Sequence, residues 1–166
     1  RHGKSSFISL WLPTWFLDTF PTKNVILTSY EAGVAASWGR KVRNTLDQNE
    51  LCKTKLSEDS KAAHRWETTE GGGMVTAGIG GPISGKGFDI GIIDDPVKNQ
   101  EEAVSETIQN RNIEWFESVF YTRAEPDATM ILNMTRWADK DLGGWIMKNH
   151  PDKWTVLKFP ALAEPN

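Results

Sequence analysis

The sequence is poor in the residues that build disulfide frameworks and zinc sites. Its 166 residues include one cysteine, Cys52, and three histidines. A single cysteine cannot form an internal disulfide, and this usage suits a reducing compartment. His2, His64 and His150 lie far apart and have no cysteine neighbours at ligand spacing, so we do not expect a zinc centre.

Long apolar runs and a strong charge of one sign are also missing. No apolar stretch approaches 18 residues, so no membrane segment is expected. A formal net charge of −3 gives no sign of a basic nucleic-acid face, although a local patch or an oligomer channel can be basic on an acidic subunit. With 39% hydrophobic and 25% charged residues, the chain has the composition of one globular domain over residues 1–166.

Two short motifs carry chemistry. The chain opens Arg-His-Gly-Lys-Ser-Ser, and residues 3–5 match the second half of the phosphate-binding pattern Gly-x-x-x-x-Gly-Lys-Ser/Thr, whose leading glycine would lie before residue 1. Ninety residues later the apolar run Phe88–Ile93 ends in Asp94 and Asp95. Either motif alone is weak, because Gly-Lys-Ser is common by chance and Asp-Asp often marks a strand entering a turn.

Together the motifs supply what nucleotide hydrolysis needs. Backbone N–H groups and Lys4 hold phosphates, and the Ser5 hydroxyl and Asp94 hold Mg²⁺. Asp95 can orient or deprotonate water. The predicted nucleotide-binding residues are Gly3, Lys4, Ser5 and Ser6.

A second phosphate-loop match, Gly80–Lys86, has the wrong context. Gly87 follows where a metal-binding Ser or Thr is required, and a strand is predicted where a helix should begin. We therefore interpret this segment as a turn leading into the Asp94 strand, with approach to a neighbouring subunit's nucleotide as the alternative.

Strand and helix patterns alternate along the chain. This alternation, with nearly continuous apolar strands, favours an α/β fold with a mostly parallel sheet and helices on both faces. The predicted helices are Phe7–Phe20, Glu31–Asn49, Glu101–Tyr121 and Lys140–Asn149. The predicted strands are Asn24–Tyr30, a strand or hairpin in Trp66–Thr76, Phe88–Ile93, Ala128–Met134 and Trp154–Phe159, while Leu51–His64 stays open.

The strand predicted at Ala128–Met134 leads into the polar pattern Asn133-x-Thr135. A hydroxyl or amide there can bond the attacking water or the departing phosphate, but a strand-end cap explains Thr135 equally well. The acidic residues Asp139, Asp141 and Asp152 more simply indicate solvated surface than a nuclease site.

The ordered set of motifs resembles the ATPase domain of the large terminase subunit of tailed bacteriophages, the DNA-packaging motor. The resemblance covers essentially the whole chain. The matching segments are residues 1–5, Val25–Ala32, Gly80–Asp89, Ile92–Pro96 with Glu101–Ser105, Thr122–Arg123, Thr135–Trp137, Asp141–Gly144 and Phe159–Glu164.

The resemblance implies a RecA-like (ASCE) P-loop NTPase fold that uses ATP and Mg²⁺. It implies a homo-oligomeric ring in the host bacterial cytoplasm, transiently at the procapsid portal vertex, with double-stranded viral DNA, the portal protein and the small terminase subunit as partners. The start of the phosphate loop, its strand and the family's C-terminal nuclease are expected to lie outside this chain. The implied roles are phosphate contact for Lys4, metal ligation for Ser5 and Asp94, catalysis for Asp95, coupling for Thr135 and γ-phosphate sensing for Arg1.

The transferring phosphate also needs positive charge, which a neighbouring subunit often supplies. Lys86 and Arg123 are the candidates for this trans-acting role. Two other functions stay open from the sequence: a helicase-like P-loop ATPase, and a folded interaction module without activity.

Overall fold

The computed structural model describes residues 3–83 and 85–159. Helical segments alternate with strands in the first and last parts of the chain, as the sequence predicted, but four strands follow one another between Leu56 and Asp94. The α-helices are α1 (Lys4–Ser6), α2 (Leu12–Thr19), α3 (Ala32–Gln48), α4 (Gln100–Val104), α5 (Glu106–Trp115) and α6 (Leu142–Asn149), with π-helical turns at Phe7–Trp11 and Phe116–Phe120 and 3₁₀ turns at Tyr121–Arg123 and Pro151–Lys153. The strands are β1 (Asn24–Ser29), β2 (Leu56–Lys61), β3 (Arg65–Thr68), β4 (Gly73–Gly78), β5 (Phe88–Asp94) and β6 (Ala124–Asn133).

The six strands form one mixed sheet in the order β2-β3-β4-β1-β5-β6. Strands β4, β1, β5 and β6 run parallel, as predicted for most of the sheet. Strands β2 and β3 add an antiparallel extension on β4. Strand β2 comes from the polar stretch that the sequence left open, and β3 with β4 is the hairpin expected around Gly71–Gly73.

Helices cover both faces of the sheet, which confirms that part of the prediction. Alternate residues of β1 enter opposite cores, because side chains of a strand alternate between faces. Val25 and Leu27 pack with α2 and α3, whereas Ile26 packs with α5, the Phe116–Phe120 turn and α6. The near-continuous apolar pattern of β1 and β5 reflects burial on both sides.

The segments α1, the Phe7–Trp11 turn and α2 follow one another without a break, and we call them together the first helix. It begins three residues earlier than predicted, at Lys4. In its π-helical turn the Leu12 N–H donates to the Phe7 carbonyl, five residues back. Pro13 accounts for this local change, because proline lacks the N–H that would bond the Ser9 carbonyl and its ring crowds that carbonyl.

Two predicted elements were wrong in extent or kind. The helix predicted over Glu101–Tyr121 is interrupted at Ser105, whose backbone is extended (φ −74°, ψ 113°). The strand predicted over Trp154–Phe159 is irregular, with Leu157 74% and Phe159 70% exposed. Its aromatic and β-branched residues suit a strand, but in the described part of the chain no sheet strand pairs with it, and a strand needs such a partner for its backbone groups.

Asp141 is not the solvated surface residue that the sequence suggested. It is buried, and its carboxylate caps α6 by accepting the Gly144 N–H at 2.9 Å. Arg136 Nε lies 2.8 Å from Asp141 Oδ1 and compensates the buried charge. Within the described ranges, no helix is long and apolar enough to span a membrane.

Candidate functional site

The parallel strands bring their carboxyl ends to one edge of the sheet, which we call the carboxyl edge. In the register of the strands, Ser29 of β1 lies beside Asp94 of β5, and Asp94 lies beside Asn133 of β6. Open α/β sheets bind ligands at this edge. The start of the first helix lies at the same place, since Ser5 contacts Asp94.

The Asp94 carboxylate is the centre of the polar contacts at the carboxyl edge. It is 3% exposed, and three described side chains donate to it. Ser5 Oγ and Asn133 Nδ2 donate to Oδ1 at 3.1 and 2.6 Å, and Ser9 Oγ donates to Oδ2 at 2.7 Å. Asn133 Nδ2 also lies 3.4 Å from Ser5 Oγ. A buried carboxylate with several donors is held in one orientation, as a metal ligand requires.

The start of the first helix has the geometry of an anion site. Gly3 has a left-handed backbone (φ 73°), and its carbonyl accepts the Phe7 N–H at 2.9 Å. The first N–H groups of a helix have no partners within the helix and point toward an approaching anion. Lys4 and Ser5 are half-buried at this end, and Gly3 and Ser6 are exposed. All four predicted nucleotide-binding residues therefore lie at the helix start and keep access to solvent.

Asp95 turns away from β5 directly after Asp94. Its φ of 49° is unusual for a residue other than glycine and takes its side chain out of strand alternation. The turn is held on both sides, since the Asp95 N–H donates to the Asn133 carbonyl at 2.9 Å and its carbonyl accepts the Tyr30 N–H at 3.0 Å. Adjacent residues within a strand point to opposite faces of the sheet. The Asp94 and Asp95 carboxylates can serve one site because the strand ends between them.

The pKa of Asp95 is raised above its ordinary value. Partial burial is the main cause, the neighbouring negative charge of Asp94 adds to it, and the positive charge of Lys4 opposes it. The surface of Asp95 is nevertheless largely exposed to water, so screening keeps the effect small. A carboxylate with a raised pKa is a better proton acceptor than an ordinary aspartate.

The donor set fits magnesium that arrives with a phosphate ligand. In the described ranges, no group of three or more His, Cys, Asp or Glu side chains could hold a metal ion alone. Nucleotide-bound Mg²⁺ uses one or two protein oxygens and completes its shell with phosphate and water. Ser5 Oγ and Asp94 Oδ1, 3.1 Å apart at the helix start, are oxygen ligands of the right kind.

The described side chains that donate to Asp94 do not include Thr135, Lys86 or Arg123. Thr135 is exposed and lies two residues beyond Asn133, while Arg1 lies outside the described residues. Lys86 pairs with Glu67 at 3.0 Å, at the opposite edge of the sheet where β4 and β1 begin. Arg123 lies at that same edge, directly before β6.

The second glycine-rich match, in the loop before β5, is not a phosphate loop in the structure. A strand follows it, as the sequence predicted, and not a helix. Trp115 Nε1 donates to the Gly81 carbonyl at 3.0 Å, and Ile83 is buried in the core. These contacts fix the described part of the loop against α5.

Two residues of the site were missed. Asn133 stood in the Asn-x-Thr pattern, but Thr135 was favoured for the role at the strand end. Ser9 carried a signal that went unused, because it lies four residues after Ser5 and residues so spaced share one face of a helix. A serine in the otherwise apolar stretch Phe7–Trp11 was the clue.

Comparison with models of known families gives a match over nearly the whole chain. Residues 1–165 match the family described as terminase large subunit, T4likevirus-type, N-terminal. No curated protein matches the chain. Since the match spans nearly every residue, the chain belongs to the N-terminal family of T4likevirus-type terminase large subunits, which are proteins of phage DNA packaging.

Proposed function

We propose that this domain is a Mg²⁺-dependent ATPase of the RecA-like P-loop class, and that its hydrolysis of ATP drives double-stranded viral DNA into the procapsid. The observation that carries the proposal is the hydrogen bond from Ser5 to Asp94, which joins the start of the first helix to the end of β5 across 89 residues. This contact unites the two motifs that a nucleotide site requires.

In this proposal the helix start binds the triphosphate. The free N–H groups around Gly3 to Ser6 bond phosphate oxygens, and the Lys4 ammonium contacts the β- and γ-phosphates. Lys4 is half-buried, so its charge is screened less than that of a surface lysine. Arg1 is proposed as a γ-phosphate contact from the family resemblance.

Ser5 and Asp94 are the proposed Mg²⁺ ligands. When bound, the ion neutralises the charge that develops on the phosphates. Asp95 orients the attacking water and accepts its proton, as the water oxygen bonds to the γ-phosphorus and the bond to the β-phosphate oxygen breaks. Asn133 steadies Asp94 Oδ1 at 2.6 Å, and Thr135 is the proposed coupling residue.

The proposed assembly is a homo-oligomeric ring at the portal vertex, with the portal protein, the small terminase subunit and double-stranded viral DNA as partners in the host bacterial cytoplasm. Lys86 and Arg123 lie at the edge of the sheet opposite Asp94. Either residue can therefore assist hydrolysis only at the site of a neighbouring subunit, as trans-acting basic residues do.

The experiment that tests the proposal is ATP hydrolysis by the large subunit that carries this domain, measured with Mg²⁺ and with a chelator. Turnover that requires Mg²⁺ supports it, and no turnover with or without portal protein and DNA contradicts it. Asp94→Asn separates the metal site from general damage. We expect it to weaken Mg²⁺-ADP binding in calorimetry by roughly tenfold or more, because a hard cation prefers carboxylate oxygen.

Asp152→Asn is the control for the change of residue type, since Asp152 is exposed and lies in the 3₁₀ turn Pro151–Lys153, outside the sheet. It should bind Mg²⁺-ADP like the wild type. Equal affinity in Asp94→Asn and in the wild type would remove Asp94 from the metal site.

Asn133 and Thr135 can be separated by removing each polar group without a large change in volume. Asn133→Leu should lower ATP turnover by roughly 10–100-fold, because it removes the donor that holds Asp94 Oδ1. Thr135→Val should leave ATP binding near normal and reduce either hydrolysis or DNA movement per ATP. Steady-state hydrolysis and a packaging assay measure both variants. Normal hydrolysis and packaging in Thr135→Val would show that Thr135 has no coupling role and only caps the strand end.

A further inference from the structure

Ser9 lies on the far side of the Asp94 carboxylate from Ser5. It is fully buried, and its hydroxyl donates to Asp94 Oδ2 at 2.7 Å. Ser5 and Asn133 contact the other oxygen, Oδ1. The two carboxylate oxygens therefore have different partners, and Ser9 is the described side chain that holds Oδ2.

We infer that Ser9 is a positioning residue for the metal site, an inference that rests on the proposed function. By holding Oδ2, Ser9 prevents rotation of the carboxylate and keeps Oδ1 directed at Ser5, where Mg²⁺ would be shared. A hydrogen bond to a charged, buried acceptor is among the stronger ones in proteins. Groups that orient a metal-ligating carboxylate affect metal affinity although they never touch the ion.

Ser9 lies in the π-helical turn Phe7–Trp11, four residues after Ser5 on the first helix. Side chains four residues apart on a helix share one face, so Ser5 and Ser9 both face the end of β5. From this face the two hydroxyls reach opposite oxygens of the Asp94 carboxylate. Pro13 has no N–H to bond the Ser9 carbonyl four residues earlier, which accounts for the π-helical turn around Ser9.

The test measures metal binding directly. Mn²⁺ is titrated into the ADP-bound large subunit, and its binding is followed by the loss of the electron paramagnetic resonance signal of free Mn²⁺. Ser9→Ala should weaken Mn²⁺ binding by roughly 10–100-fold and leave metal-free ADP binding unchanged. Ser9→Cys fills the site with a slightly larger thiol that is a much weaker donor, and should show the same loss if Ser9→Ala does not fold. Thr14→Ala is the control, since Thr14 is a buried hydroxyl on the same helix that bonds the Leu10 carbonyl and not Asp94.

The outcomes separate the inference from the proposed function. Weakened Mn²⁺ binding in both Ser9 variants, with Thr14→Ala like the wild type, supports the inference. Wild-type Mn²⁺ affinity in the Ser9 variants would overturn it while leaving the metal site in place. An equal loss of Mn²⁺ affinity in Thr14→Ala would also overturn the inference, because it would show that any lost hydroxyl in the first helix weakens metal binding. Absence of Mn²⁺-ADP binding by the wild type would overturn both the inference and the proposed function.

Discussion

Replacing Lys4 with alanine is expected to lower ATP turnover by about 10³-fold or more, which corresponds to about 4 kcal/mol of activation free energy. Lys4 follows the left-handed Gly3 at the start of the first helix and supplies a positive charge where the β- and γ-phosphates are proposed to bind. The charge also opposes the raised pKa of Asp95. Its loss therefore weakens phosphate stabilisation and removes a counter-charge from the proposed base.

Steady-state hydrolysis by the large subunit measures this effect. Lys53→Ala is a suitable control, because Lys53 is an exposed lysine after α3 that should not influence phosphate binding. Wild-type turnover in Lys4→Ala would show that the helix start is not the phosphate site.

Asp95→Asn is expected to keep Mg²⁺-ATP binding and to lose roughly 10²–10⁴-fold in turnover. An asparagine fits the same turn but cannot accept a proton from water. Binding by calorimetry and turnover by phosphate release distinguish this result from the Asp94→Asn result, in which binding itself weakens. Full turnover in Asp95→Asn would place the catalytic base elsewhere.

Asp95→Asn should also raise the Tm of the domain at pH 7. The raised pKa of Asp95 means that the folded state disfavours its ionised form, first through partial burial and then through Asp94. Ionised Asp95 destabilises the folded wild type, and this destabilisation has its full size at a pH above the raised pKa. It becomes smaller as the pH falls through that pKa and disappears below the ordinary value of 3.8. The Tm difference between Asp95→Asn and the wild type should therefore close as the pH approaches 3.8.

Asp127→Asn provides a matched control for this stability effect. Asp127 also has a positive φ, 67°, and is exposed in the irregular part of β6 away from Asp94. Asparagine tolerates a left-handed backbone well, so the substitution should reduce backbone strain equally at both positions. Only Asp95→Asn should show a Tm gain that depends on pH in this way. An equal, pH-independent gain in both variants would assign the effect to the backbone and not to charge.

Residue patterns predicted the central elements because they are set by local sequence. Burial on both faces makes β1 and β5 nearly continuous apolar runs, which are visible without any structure. The hypothesis that Ser5 and Asp94 share a site came from the motifs, and the structure places the two side chains in contact. The left-handed backbone of Asp95 ends β5 directly after Asp94, which allows both carboxylates to face one site.

The features that were missed depend on tertiary contacts. Strand β2 is polar, so only its pairing with β3 defines it. Trp154–Phe159 has the aromatic and β-branched residues of a strand but pairs with none in the described sheet. Asn133 and Thr135 are equally polar in sequence, and only the register of β6 against β5 places Asn133 beside Asp94. The spacing of Ser9 from Ser5 was visible in the sequence, but only the fold brings Ser9 to Asp94, 85 residues away.

The central claim is tested most directly by a crystal structure of the large subunit with a non-hydrolysable ATP analogue and Mg²⁺. The account predicts a metal ion within about 2.1 Å of Ser5 Oγ and of an Asp94 carboxylate oxygen, with the phosphates on the N–H groups of residues 3–6 and on Lys4. A nucleotide bound elsewhere, or a metal ion that contacts neither Ser5 nor Asp94, would contradict it.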